Sequence, residues 1–148
     1  MQRPPMVWML GVGVVICCGT AELSVHVHRV VDGDTFESGE TRVRLWAIDA
    51  PESHACWGEV ATRALRGRIE GMQVILRIPP KPAPELDAYG RRIREVLLEG
   101  RSINLALLRE GHAWPSGPVA PHWARAARAA KSAGKGGWGA CGWDHPIR

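Results

Sequence analysis

A chain of 148 residues that is 45% hydrophobic is long enough to bury a core as one domain and too apolar to be disordered. Its formal charge of +4 suits a polyanionic partner without requiring one. Seven Trp against one Tyr and one Phe provide stacking surface as well as core.

The first 21 residues read as a secretory signal peptide. Arg3 and the amino terminus form a positive start, Met6 to Cys18 is apolar, and Gly19-Thr20-Ala21 offers small residues for cleavage. The apolar stretch is shorter than the roughly 20 residues needed to span a bilayer. Residues 22–148 are therefore expected as one mature domain, secreted or periplasmic and free of the membrane after cleavage; an uncleaved anchor is the alternative. Its remaining thiols, Cys56 and Cys141, could join in an oxidising compartment.

Val25 to Val31 alternates and predicts a strand. Its His26 and His28 have a spacing that can bind metal, but on the outer face of a strand they are expected to be solvated. Asp32-Gly33-Asp34-Thr35 is by itself an ordinary turn, Asp tolerating turn conformations and Gly supplying positive φ. Thr35 to Ser38, Gly39-Glu40 and Thr41 to Ile48 predict a hairpin whose second strand is long and apolar. A second acidic turn, Asp49-Ala50-Pro51-Glu52, follows it directly. The register stays open. A two-residue loop at Gly39-Glu40 pairs Asp34 with Leu45, a three-residue loop pairs it with Arg44, and a one-residue slip exchanges faces.

A loop from Ser53 to Gly58 leads to a helix in which Ala61, Ala64, Leu65, Arg68 and Ile69 follow three-and-four spacing, with the arginines mostly on the other face, ending at Gly71. Gln73 to Ile78 predicts a strand, and Pro79 to Pro84 a stiff loop that cannot join a ladder. Ile93 to Leu98 predicts the next strand. Ser102 is placed to cap a helix from Ile103 to Glu110, with Gly111 ending it. A last helix opens at Pro121 or His122 and runs to Ala133. The pattern is α+β and mainly β: five short strands and three helices, which fits the five-stranded oligonucleotide/oligosaccharide-binding (OB) barrel.

The two acidic turns carry the chemistry. Asp34, Asp49, Asp32 and Glu52 offer hard oxygen donors of the kind Ca²⁺ takes, and Arg42 and Arg44 bring positive charge to the same segment. Carboxylates for a cation beside guanidiniums for a phosphate are the equipment of metal-assisted phosphodiester hydrolysis. A further turn, Asp87-Ala88-Tyr89-Gly90-Arg91, brings another arginine.

Taken together, Asp32 to Thr35, Arg44 to Glu52, Asp87 to Arg91 and Gly111-His112-Ala113-Trp114 resemble the thermonuclease family, typified by staphylococcal nuclease, from about Val30 to Trp138. The resemblance implies an OB barrel with three helices, Ca²⁺ dependence, and hydrolysis of DNA and RNA by a protein expected as a monomer. It implies Asp34 and Asp49 as carboxylate ligands to Ca²⁺ and Ala50 as a carbonyl ligand. Glu52 would orient or deprotonate the attacking water, and Arg44 and Arg91 would hold the phosphate. The family commonly has Thr at the Ala50 position. The hairpin between Asp34 and Arg44 is shorter than in staphylococcal nuclease, the loop after Glu52 lacks its lysine run, and Trp114, Pro115 and Ser116 replace its base-contacting tyrosines.

Two other classes fit parts of this pattern. A non-catalytic OB module that binds nucleic acid needs basic charge and stacking surface but no general base. A calcium-binding structural protein would use the same carboxylates and leave Arg91 without a role. Arg125, Arg128, Lys131 and Lys135 read as a solvated helix face that could follow a phosphate backbone. Trp123, Trp138 and Trp143 read as packing residues.

Overall fold

The structure is a computed structural model that describes residues 22–147; the expected signal peptide lies outside the described residues. The fold is a mixed α+β arrangement. Strands β1 (Glu22–His26), β2 (Arg29–Asp32), β3 (Thr35–Ser38), β4 (Thr41–Leu45) and β5 (Ile48–Asp49) precede helix α1 (Gly58–Ile69). Then come β6 (Gln73–Arg77), β7 (Arg92–Leu98), β8 (Arg101–Ser102), α2 (Ile103–Glu110), β9 (Trp114–Pro115), α3 (Pro121–Ser132) and α4 (Gly137–Ala140).

The main sheet runs β1-β6-β7-β4-β3-β2, with β8 on β7. All its ladders are antiparallel except β4 on β7. The outer strands β1 and β2 are consecutive pieces of chain. Between them the Val27 amide donates to Met72 O and the His28 amide to Glu37 O, both at 2.9 Å, so one bent segment borders both ends of the sheet. Phe36, Val43, Leu45, Leu65, Ile69, Val96, Leu107 and Trp123 form the core beneath.

Helix α2 has the limits its sequence predicts. The Ser102 side chain accepts the Leu105 amide, and Gly111, at φ 74°, carries the left-handed turn that stops the helix. Helix α3 buries Trp123, Ala124, Ala127 and Ala130, a stripe at helical spacing that packs on α2.

Several expectations are corrected. The single strand expected over Val25 to Val31 is two, because the chain bends at Val27-His28 to serve different neighbours. The long strand expected over Thr41 to Ile48 breaks after Leu45. Ala47 has a φ of 57°, and β5 turns away to pair with β9. The three expected helices are joined by the short α4. His28 Nδ1 accepts the Gly39 amide at 2.8 Å, so this histidine fastens the hairpin. Among the described residues, no group of three or more His, Cys, Asp or Glu side chains placed to hold a metal includes His26 or His28.

Candidate active site

The hairpin settles the register. Ser38 faces Thr41 across the two-residue loop Gly39-Glu40, Thr35 faces Arg44, and the Leu45 amide donates to Asp34 O at 2.8 Å. Asp34 thus stands level with Leu45 on the backbone, yet Arg44 still reaches it. The long guanidinium closes the offset, with Nη1 2.9 Å from Asp34 Oδ2 and Nη2 2.6 Å from Asp49 Oδ1. One arginine therefore bridges the two acidic turns.

Each turn is held by its own backbone and by the other. Asp32 accepts the Asp34 amide at 3.1 Å, the Asx geometry that stabilises such a turn. The Ala50 amide donates to Asp34 Oδ2 at 3.0 Å, and Thr35 Oγ1 donates to Asp34 Oδ1 at 2.8 Å. Gly33 is required for close approach and not for a positive φ: a Cβ there would lie 2.7 Å from that of Ala50 and 2.9 Å from that of Ala61.

The position of Asp49 rests on a residue the sequence reading missed. Asn104, fully buried on α2, accepts the Val96 amide at 3.0 Å and donates to Trp46 O at 2.9 Å, tying the helix to the strand break. The available signal was a lone Asn among the apolar residues Ile103, Leu105, Leu107 and Leu108 of a predicted helix, since an amide buried there must find partners. Arg91 is fixed from its own turn. Asp87 accepts its amide at 3.0 Å and its Nε at 2.6 Å, and Nη1 lies 3.5 Å from Thr35 Oγ1.

The result is one cavity of about 210 Å³ lined by Asp32, Asp34, Arg44, Asp49, Ala50, Pro51, Glu52 and Arg91. All six sequence-selected site residues (Asp34, Arg44, Asp49, Ala50, Glu52 and Arg91) line it. Arg42 does not; it pairs with Glu37 at 3.0 Å on the hairpin's exposed side. The four carboxyls outnumber the two guanidiniums, leaving a formal excess of two negative charges.

Burial pushes the Asp34 carboxyl above its ordinary value. Arg44, the Ala50 amide and Thr35 pull the other way, and Asp49 adds to the rise. Asp32 is raised by burial and by the charge of Asp34. For Asp87 burial also acts upward but is outweighed, and the Arg91 amide and guanidinium hold it below the usual range. The protein thus supplies Asp87 with full compensation and leaves Asp32 and Asp34 short of it.

The family model described as staphylococcal nuclease homologue matches residues 42–140. The chain belongs to this family. A protein named ParB from Escherichia coli is 34% identical over 118 residues, covering 71% of this chain and 64% of that one. An uncharacterized endonuclease from Escherichia coli O157:H7 is 31% identical over 115 residues, covering 74% and 70%. A probable staphylococcal-like nuclease from Oryza sativa subsp. japonica is 29% identical over 82 residues, which are 23% of that longer protein. The chain thus spans about two thirds of the length of the bacterial relatives it matches.

Two neighbouring features complete the surroundings. A cavity of about 580 Å³ shares Arg44 with the site and lies between Trp46 to Ile48 and the loop Pro80 to Pro84. Cys56 and Cys141 are joined in a disulfide with Cα atoms 6.0 Å apart, which ties the loop after Glu52 to the segment after α4.

Proposed function

We propose that this protein is an exported, Ca²⁺-dependent nuclease that hydrolyses DNA and RNA phosphodiesters without sequence preference. It acts as a monomer, on an OB barrel closed through the bent segment 22–32. One observation carries the reading: two acidic turns and the Arg91 turn, distant in sequence, converge on a single small cavity that holds Arg44, Glu52 and Arg91 together. Family membership and the printed names of the bacterial endonuclease and the rice nuclease agree with it.

The donor set suits Ca²⁺. No group of three or more Asp, Glu, His or Cys side chains is gathered for a metal among the described residues. The ligands the resemblance implies are instead the two carboxylates Asp34 and Asp49, the Ala50 carbonyl and waters, a mix a flexible oxygen-seeking cation accepts more readily than Mg²⁺ does. The cavity's excess negative charge and the only partly compensated burial of Asp34 point the same way. When bound, the cation would polarise the phosphoryl oxygens and lower the pKa of nearby water.

The chain's own residues do the rest. Arg44 is held by Asp34 and Asp49, so its guanidinium is oriented before substrate arrives. Arg91 is held through Nε by Asp87, which leaves its terminal nitrogens to contact two phosphate oxygens. Exposed Glu52 lines the same cavity and accepts the proton of the attacking water. The larger apolar cavity beyond Arg44 takes the base on that side of the scissile phosphate.

Incubation of the mature chain with single-stranded DNA in Ca²⁺, then with chelator, tests the reading. Cleavage that stops on chelation is expected. Binding without cleavage would favour a non-catalytic OB module.

A further inference from the structure

Whereas the apolar cavity adjoins the site at Arg44, a second neighbouring cavity adjoins it along the Asp49–Glu52 turn. It has a volume of about 400 Å³ and shares Asp49 to Glu52 with the catalytic cavity. Its far wall consists of Trp114, Trp143 and His145 beside the disulfide. The sequence predicts Trp123, Trp138 and Trp143 alike as packing residues. Trp123 and Trp138 are buried, at 3% and 6% exposure, but Trp143 is half-buried and faces this space.

This aromatic wall is built and held. His145 lies flat on Trp114, centroids 3.8 Å apart and planes within 8°, while Trp143 meets Trp114 and Trp138 edge-on at 4.9 and 5.4 Å. Trp143 is seated on Gly137, where an added Cβ would lie 2.0 Å from Cζ2. Lys131 fastens the segment by donating to His145 O at 3.3 Å and lying 5.1 Å over the Trp138 ring. The disulfide fixes its start. Half-exposed aromatic rings braced by such contacts offer a stacking surface to a flat ligand.

We propose that this wall is a nucleobase subsite for the nucleotide next to the scissile phosphate on its Glu52 side. The occupant follows from continuity. A strand whose phosphate lies among Arg44, Glu52 and Arg91 must leave that cavity in two directions, and on this side its next base meets Trp143 and the Trp114–His145 stack. Stacking is tolerant of base identity, because every base offers a π-face. The identity of the ligand rests on the nuclease reading given above; the existence of the aromatic wall does not.

The test uses a short single-stranded DNA with one hydrolysable linkage, and versions lacking the base on one or the other side of it. Parent, Trp143→Ala, Trp143→Phe and His145→Ala proteins are compared by kcat/KM in Ca²⁺ and by equilibrium binding of the same strands. Loss of one base is expected to cost the parent roughly 5- to 150-fold. Trp143→Ala should lose a similar factor on the intact strand and no more when that base is also missing. The base on the other side should count fully in both proteins. Trp143→Phe, which keeps a ring on Gly137, should retain most of the effect.

Equal responses of parent and Trp143→Ala to both base deletions would overturn the proposal. Should Trp143→Ala fail to fold, His145→Ala leaves Trp143 seated and must show the same coupling in weaker form. A parent that binds but does not cleave removes the nuclease reading alone. The coupling between base and ring is then decided by the binding titration.

Discussion

The disulfide allows a prediction that does not depend on the function. Cys56 and Cys141 are 85 positions apart, and in the double variant Cys56→Ser/Cys141→Ser the unfolded chain regains the freedom that this closed loop removes. In the chain-entropy model a loop of that length contributes about 4 to 5 kcal/mol. Against the total of about 5 to 15 kcal/mol that holds a typical domain, this is a large share. Urea unfolding of the parent and the variant, each fitted for its own midpoint and slope, measures the difference. The slope should be steeper in the variant, because an uncrosslinked chain exposes more surface. Since the bridge also fixes the loop after Glu52 and the start of the Trp143 segment, a variant that still folds should lose activity beyond its loss of stability. An unfolding free energy within about 1 kcal/mol of the parent's would refute the reasoning.

Glu52→Gln keeps size and hydrogen bonding but removes the base; single-turnover cleavage is expected to fall about 10²- to 10⁴-fold while oligonucleotide binding barely changes. Arg91→Lys keeps the charge and loses the planar fork, so cleavage should fall steeply, and near-parental rates would show Arg91 to be structural. Asn104→Ala leaves the buried Val96 amide and Trp46 carbonyl without their partner, which should cost about 2 to 4 kcal/mol in denaturant unfolding. His112, whose Nδ1 accepts Trp57 Nε1 at 3.1 Å, has its pKa lowered by burial, so the folded state resists protonation. Stability should fall as pH drops through 6.5 toward the depressed value, and His112→Gln should show less of that fall between pH 7.5 and 5.5.

What was legible in the sequence was local. Ser102 and Gly111 announce both ends of α2 because a cap needs only its neighbours, and the acidic turns, joined by Arg91 and Ala50 through the family resemblance, pick out the candidate site residues. The break after Leu45 was not legible. It follows from partners far along the chain: Arg94 O accepts the Trp46 amide, Asn104 takes the Trp46 carbonyl, and β9 captures Ile48-Asp49. Periodicity sees only a continuing apolar strand there. The C-terminal wall was hidden for the same reason, since it depends on Trp143 meeting Gly137; of its supports only the Cys56–Cys141 bridge was legible.

Two departures from ordinary folding chemistry lie where the function is proposed. Ala47 holds a positive φ that a side chain disfavours, and Asp34, at 5% exposure, is raised in pKa although Arg44 stands 2.9 Å away. Neither helps the domain fold. An Asn at position 34 could receive the Ala50 amide without the cost of a buried charge, and a straight strand would need no left-handed residue at 47. The break nevertheless turns Asp49 back toward Asp34, and the carboxylate at 34 gives Arg44 a second anchor. A chain shaped for stability alone would discard both features. Both serve the same cavity, and their cost is offset by the core of α1, α2 and the main sheet around it.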